Sequence, residues 1–134
     1  MNLRLSQDQV ILVHSSLIQR FGGAHGILDL NLLNSALAAP YQTFDGVLLF
    51  PTAEEQAARL AYGLIQNHPF LDGNKRIGIM LMLITAEMNG CIIDADNEDL
   101  IELGFGIARG VINYEQTLEW VFQHKVGGRA EGQQ

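Results

Sequence analysis

HPFLDGNKRIGIMLMLI, residues 68–84, is the stretch on which the fold turns. Its first half is polar and turn-forming. Its second half, Ile77 to Ile84, is among the most apolar runs of the chain. Pro69 disfavours helical geometry in the residue before it, so a preceding helix has to end near Asn67 or His68. A new helix is predicted from about Asn74 to Asn89, stopped by Gly90. Ile77, Ile79, Met80, Leu81, Met82, Leu83 and Ile84 leave that helix no polar face, which predicts a buried central helix in an all-α bundle.

Working outward, most of the remaining chain also reads as helix. Ser6 is a candidate N-cap for a helix through Val10, Ile11, Val13, Leu17 and Ile18, ending before Phe21-Gly22-Gly23. Asp29 can cap a short helix through Leu30, Leu33 and Leu37 that Pro40 ends. Thr52 and Glu55 have capping-box spacing and open a helix through Leu60 and Leu64. Asp96 and Asn113 are N-cap candidates for two final helices. Between Tyr41 and Phe50 the residues turn aromatic and β-branched around Asp45-Gly46, a pattern that fits a hairpin and a plain connecting loop equally. The folded domain is assigned to residues 1–125. The glycine-rich polar tail, 126–134, is expected to be disordered.

The chain has 134 residues, of which 48% are apolar and 17% charged, the balance of one soluble globular domain with a core of its own. A formal net charge of −7 argues against general attraction to nucleic acid or to an anionic membrane. The single cysteine, Cys91, excludes an intrachain disulfide, and its neighbours Ile92 and Ile93 favour buried packing over nucleophilic use. MNLRLSQDQV lacks the apolar stretch of a signal peptide, and no apolar run approaches the ~20 residues of a membrane helix. A cytoplasmic protein is expected.

The polar half of the opening stretch carries chemistry. Gly73 and Asn74 at a helix start let the backbone approach an anion. Lys75 and Arg76 add positive charge, and arginine binds phosphate oxygens in bidentate fashion. Asp72 sits too near such an anion unless a cation lies between them; magnesium, held by one carboxylate and phosphate oxygens, suits that place. Imidazole changes charge near neutral pH, so His68 suits removing a proton from an attacking hydroxyl. Together these groups fit phosphoryl or nucleotidyl transfer. Each also has a plainer use: a capping or core histidine, a turn at Asp72-Gly73-Asn74 with Asp72 as N-cap, and a solvated patch at Lys75-Arg76. Two cations in the first helical turn oppose the helix dipole unless an anion joins them, and with that point counted the two readings balance.

HPFLDGNKR resembles the signature of the Fic/Doc superfamily, His-x-Phe-x-Asp/Glu-Gly-Asn-Gly/Lys-Arg. Phe21-Gly-Gly-x-x-Gly-Ile, Leu32-Leu-x-Ser-Ala-Leu-Ala-x-Pro, Tyr41-x-Thr-Phe-x-Gly and Leu49-Phe-Pro-Thr are similar to the death-on-curing (Doc) branch, and the likeness runs from about Ser6 to Trp120. The resemblance implies a compact α-helical Fic fold. His68 would be the base acting on a target-protein hydroxyl, Phe70 the loop anchor and Asp72 the magnesium ligand. Gly73, Asn74, Lys75 and Arg76 would form the anion site for ATP. Thr43, Phe44, Asp45, Gly46, Val47 and Leu48 would form a hairpin flap that docks the target as an added strand.

Fic proteins that transfer AMP carry glycine at the position of Lys75 and a second arginine at that of Ile79. The Doc branch shares the pattern of this chain, which implies a kinase-like toxin passing the ATP γ-phosphate to elongation factor Tu and arresting translation. Gly73 departs from this, because the best-known Doc toxin has alanine there; AMP transfer is the alternative reaction. A non-catalytic binding module is the alternative of another class. No stretch fits the inhibitory pattern Ser/Thr-x-x-x-Glu-Gly/Asn, so the resemblance implies a separate small antitoxin whose tail folds on binding.

Elsewhere, Asp94, Asp96, Glu98 and Asp99 lack the spacing of a calcium loop and read as helix capping. His14, His25 and His124 read as structural. Trp120, Phe122 and Tyr62 read as core.

Overall fold

The computed structural model describes residues 3–127 and contains six helices and one hairpin among them. Helix α1, Gln7–Phe21, starts at Ser6, whose side chain accepts from the Gln9 N–H while Gln9 returns a bond to the Ser6 N–H. Helix α2, Leu30–Ala38, is capped by Asp29 and runs into a 3-10 turn, Ala39–Tyr41, that carries Pro40. Strands β1, Thr43–Phe44, and β2, Val47–Leu48, pair antiparallel with Thr43 opposite Leu48 and Phe44 opposite Val47. Asp45 and Gly46 between them have φ of 56° and 80°. Two successive residues with positive φ match the right-handed twist of a tight hairpin, so the Asp-Gly pair makes a hairpin rather than a loop.

Helix α3, Ala53–Asn67, opens with the Thr52–Glu55 capping box. Helix α4, Asn74–Met88, follows the motif loop, and α5, Asn97–Ala108, and α6, Tyr114–His124, start at Asp96 and Asn113. The N-caps expected at Ser6, Asp29, Thr52, Asp96 and Asn113 are therefore realised, because a cap is a local exchange of one side-chain oxygen for an orphan N–H.

The core has two lobes. One joins Val10 and Leu17 of α1, Leu33 and Ala36 of α2, Leu60 and Leu64 of α3, Ile77 and Leu81 of α4, and Phe70. The other joins Ala57, Ala58, Ala61 and Ile65 of α3 with Met82, Ala86, Cys91, Leu103, Ile107 and Val121. Helices α3 and α4 face both lobes, so the apolar run of α4 is central as its pattern requires, and α3 shares the centre. Alanines let α3 touch α2, α4, α5 and α6, whereas Ile79, Met80, Leu83 and Ile84 of α4 stay half-buried. At Gly78 the two helices come so close that a Cβ would lie 2.7 Å from Ile65 Cγ1.

The C-terminal segment is clasped to the bundle. Val126 N–H donates to the Ile92 carbonyl at 2.8 Å, and the Lys125 ammonium pairs with the Glu54 carboxylate at the start of α3. Burial would push the Glu54 carboxyl up, but hydrogen bonds from Lys125 and the backbone, with the Lys125 charge, hold it below the usual 4.5. Cys91 is buried as its neighbours indicated, and burial followed by the Glu54 charge raises its thiol. Trp120 is half-buried and stacks on His124 at 3.9 Å. Phe122 departs from the core expectation: it is 46% exposed, because Val121 takes the inward position of that turn. No helix among the described residues is long and apolar enough to cross a membrane. Residues 128–134 of the expected tail lie outside the described residues.

Two outcomes follow from this packing. Gly78→Ala should lower unfolding free energy by about 1–3 kcal/mol in chemical denaturation, because α3 and α4 must separate. Glu54 binds its proton less readily folded than unfolded, so its stabilisation is fully present above the unfolded value near 4.5 and is lost as pH falls through the lower folded value. In a pH series of denaturation midpoints, Lys125→Met should flatten that acid-side decline; an unchanged slope would rule out the pair as its source.

Candidate functional site at the turn between helices three and four

The motif loop begins where α3 stops. His68 takes a left-handed conformation, φ 53° and ψ 55°, because the proline after it forbids a further helical turn. A left-handed non-glycine residue is a strained position, held here by what surrounds it. The His68 side chain is exposed, while Pro69 and Phe70 behind it are buried.

One buried side chain and two sets of hydrogen bonds hold the loop. Phe70 is fully buried in the α1–α2 lobe. The Asn74 side chain then binds both ends of the Phe70 residue: Asn74 Oδ1 accepts the Phe70 N–H at 3.0 Å, and Asn74 Nδ2 donates to the Phe70 carbonyl at 3.0 Å. From outside, the Leu28 and Asp29 N–H groups donate to the Pro69 carbonyl, and Leu71 N–H donates to the Gly26 carbonyl, a bridge pairing Ile27 with Phe70. The Asn74 side chain thus serves the loop: its amide is spent on Phe70 and the residue is 5% exposed, which leaves its backbone N–H, the group the sequence pointed to, as what it could offer an anion.

The start of α4 has no side-chain cap. Gly73, the N-cap, sits at φ 77° and ψ 18°, and the orphan N–H groups of the first turn are left for another acceptor. Asp72, which could have been the cap, is exposed; its Oδ1 accepts the Gly73 N–H at 2.9 Å and its Oδ2 the Ala24 N–H at 3.2 Å. Lys75 and Arg76 diverge from the helix start. The Lys75 ammonium lies 5.0 Å from the Phe105 ring centre and the Arg76 guanidinium 5.1 Å from that of Phe21. Neither belongs to the ion pairs found among the described residues, Lys125–Glu54 and His124–Asp99. Two unpaired cations thus flank an uncapped helix N-terminus, with an imidazole at the far end of the loop.

The fit of magnesium can be tested on Asp72. Each of its oxygens accepts one backbone N–H and keeps a lone pair, and no cluster of three or more His, Cys, Asp or Glu side chains exists among the described residues. One exposed carboxylate suits an ion held mainly by phosphate and water, and does not suit an all-protein cage.

A neighbouring groove of ≈ 410 Å³, lined by Glu102, Phe105, Gly106, Arg109, Val111 and Ile112, opens on the side where Lys75 rests. The hairpin is exposed to solvent: Phe44 is 75% and Val47 67% exposed, with Asp45 and Gly46 at the tip. Tyr62 packs against the lobe containing α5 and α6, and His25 Nδ1 lies 3.4 Å from Ser15 Oγ. Sequence reading missed the part played by His14. It is structural, as expected, but its Nε2 lies 2.7 Å from the Asp72 carbonyl and its ring stacks on Phe70 at 3.7 Å. The available signal was faint: a polar residue on the apolar face of α1, between Val10 and Leu17.

Comparison with known proteins agrees with this geometry. The sequence model of the Fic/DOC family matches residues 4–86. The protein named Toxin Doc of Mycolicibacterium smegmatis is 37% identical over 76 residues, 57% of this chain, and the chain spans 58% of that relative's length.

Gly73→Ala tests how tightly the loop is built. A Cβ there would lie 3.1 Å from Ile18 Cδ1 on a backbone with φ +77°. It should destabilise the fold by about 1–3 kcal/mol. Gly46→Ala, equally left-handed but with open space around it, should cost less in the same denaturation series.

Proposed function

The chain belongs to the Fic/DOC family, and from that premise we propose that it is a Doc-like toxin that passes the γ-phosphate of ATP to a hydroxyl of a target protein, with elongation factor Tu as the target. Enzymes of this family modify proteins with nucleotide substrates. The observation that carries the reading is the uncapped, cation-flanked start of α4 joined to His68 through one anchored loop.

In this reading His68 removes the proton of the acceptor hydroxyl as it attacks phosphorus. The N–H groups at the start of α4, with Lys75 and Arg76, hold the phosphate oxygens and offset the charge that builds on them. Asp72 would hold magnesium, which supplies further charge neutralisation at the phosphates when bound. The flap, a two-stranded ribbon with exposed Phe44 and Val47, would take the target backbone along a free edge.

Two packing details favour γ-phosphate transfer over AMP transfer. The Lys75 stem runs beside Gly104 and its ammonium lies 5.0 Å from the Phe105 ring centre, so the exposed lysine lies along the α5 side of the start of α4. Ile79, where AMP-transferring relatives place a second arginine, packs toward the same Gly104 and contributes no charge. Gly73 is the observation favouring AMP transfer. A toxin of this kind needs restraint, and a small antitoxin with a tail that folds on binding supplies it in this proposal.

Incubation with magnesium, cell extract and ATP labelled at the α or γ position separates the possibilities. Label is expected from the γ position alone, lowered about 10²–10⁴-fold by His68→Ala, the usual contribution of a positioned base. Label from the α position would establish AMP transfer, and none from either would favour a binding module. Expression of the wild type without neighbouring genes should arrest growth, and His68→Ala should not; equal growth of the two would end the toxin proposal.

A further inference from the structure

We propose that His14 is a positioning residue of the transfer site, its Nε2–H fixing the Asp72–Gly73 peptide from which the anion site opens; the inference rests on the function proposed above. The bond joins residues 58 positions apart and spans 2.7 Å. A carbonyl oxygen only accepts, so the imidazole is held as the tautomer that carries its proton on Nε2.

The placement is hard to explain as core filling. His14 is 3% exposed and shares its face of α1 with Val10, Leu17 and Ile18. An apolar side chain there would fill the space without the cost of burying a ring with two polar nitrogens. What the histidine adds is a donor aimed at the Asp72 carbonyl. The Gly73 carbonyl already serves α4 by accepting the Ile77 N–H. The Asp72 carbonyl lies outside the helix and has no backbone donor among the described residues, and the His14 ring supplies one.

The same peptide is held at its other end, where the Gly73 N–H donates to Asp72 Oδ1 at 2.9 Å. Both polar atoms of the peptide are thereby fixed, one by α1 and one by the candidate metal ligand itself. Below it, a Cβ on Gly73 would lie 3.5 Å from His14 Nε2 and 3.1 Å from Ile18 Cδ1, so α1 forms the floor on which the turn rests. The ring also stacks on Phe70 at 3.7 Å and 11°. One side chain thus touches the anchor of the loop and orients the peptide that sets both the Asp72 carboxylate and the first free N–H groups of α4.

The two functions of the ring can be separated. His14→Phe keeps an aromatic ring against Phe70 and loses the donor; His14→Gln keeps a donor and loses the ring. Both are compared with wild type by thermal unfolding, by the carbonyl ¹³C resonance of Asp72, and by γ-label transfer. The expected result is that His14→Phe stays folded, shifts the Asp72 resonance and lowers kcat/KM about tenfold, as misplacing one held group does. His14→Gln should restore the resonance and most of the rate while being the less stable of the two. If folded His14→Phe leaves the Asp72 resonance where it is, or if the Gln variant follows stability and not the donor, the proposal is overturned. Absence of transfer by wild type would overturn the proposed function, while the resonance, which needs no substrate, would still decide the positioning of the loop by His14.

Discussion

Everything at the candidate site depends on the burial of Phe70 and the clasp that Asn74 places around it. A turn between two antiparallel helices would ordinarily be free to shift. Here its middle residue is sunk in the α1–α2 lobe and both of its backbone polar groups are satisfied by the amide of the first residue of the next helix. Buried backbone groups without partners are costly, so these paired bonds allow the phenyl ring to go inward at all. Once it has, His68 is pushed outward on one side and the start of α4 is fixed on the other. The exposure of His68 is the counterpart of the burial of Phe70.

That arrangement accounts for a local conflict in the sequence. A helix start is electropositive, and Lys75 and Arg76 add to it without an ion pair among the described residues. The carboxylate at that turn, Asp72, accepts the Gly73 and Ala24 N–H groups and forms an ion pair with neither cation. Instead each cation rests on an exposed aromatic ring, Phe105 or Phe21, an interaction that holds a cation loosely and leaves its charge available. Local charge repulsion with no compensating bond is the kind of inconsistency that marks a functional site.

What could be read from the sequence was what is decided locally. Caps at Ser6, Asp29, Thr52, Asp96 and Asn113 depend on a few neighbouring residues, and all were legible. The Asp45-Gly46 turn was half legible: the pair permits positive φ, but whether two short flanks then hydrogen-bond depends on contacts that local pattern does not contain. The bond from His14 to Asp72 spans 58 positions, so a polar residue on the apolar face of α1 hints at a partner without naming it. The clasp of Asn74 was not legible either, because an amide at a helix start can face an anion or turn back on its own loop, and only the depth of Phe70 decides between them. Phe122 shows the converse: an aromatic residue in a helical pattern sits outside when its neighbour already fills the inward position.

The two-lobed core gives the site its shape. Phe70 belongs to the lobe built by α1 and α2, and Arg76 leans toward Phe21 at the end of α1. Lys75 leans the other way, against Phe105 of α5, in the helix that supplies Leu103 and Ile107 to the second lobe. The two cations are therefore set by different halves of the protein. Two residues beyond Arg76, Gly78 brings α4 within contact of Ile65 on α3. The helix that carries both cations is thus held near its start against α3, while α1 and α5, whose aromatic rings receive the two charges, pack on it from their own lobes.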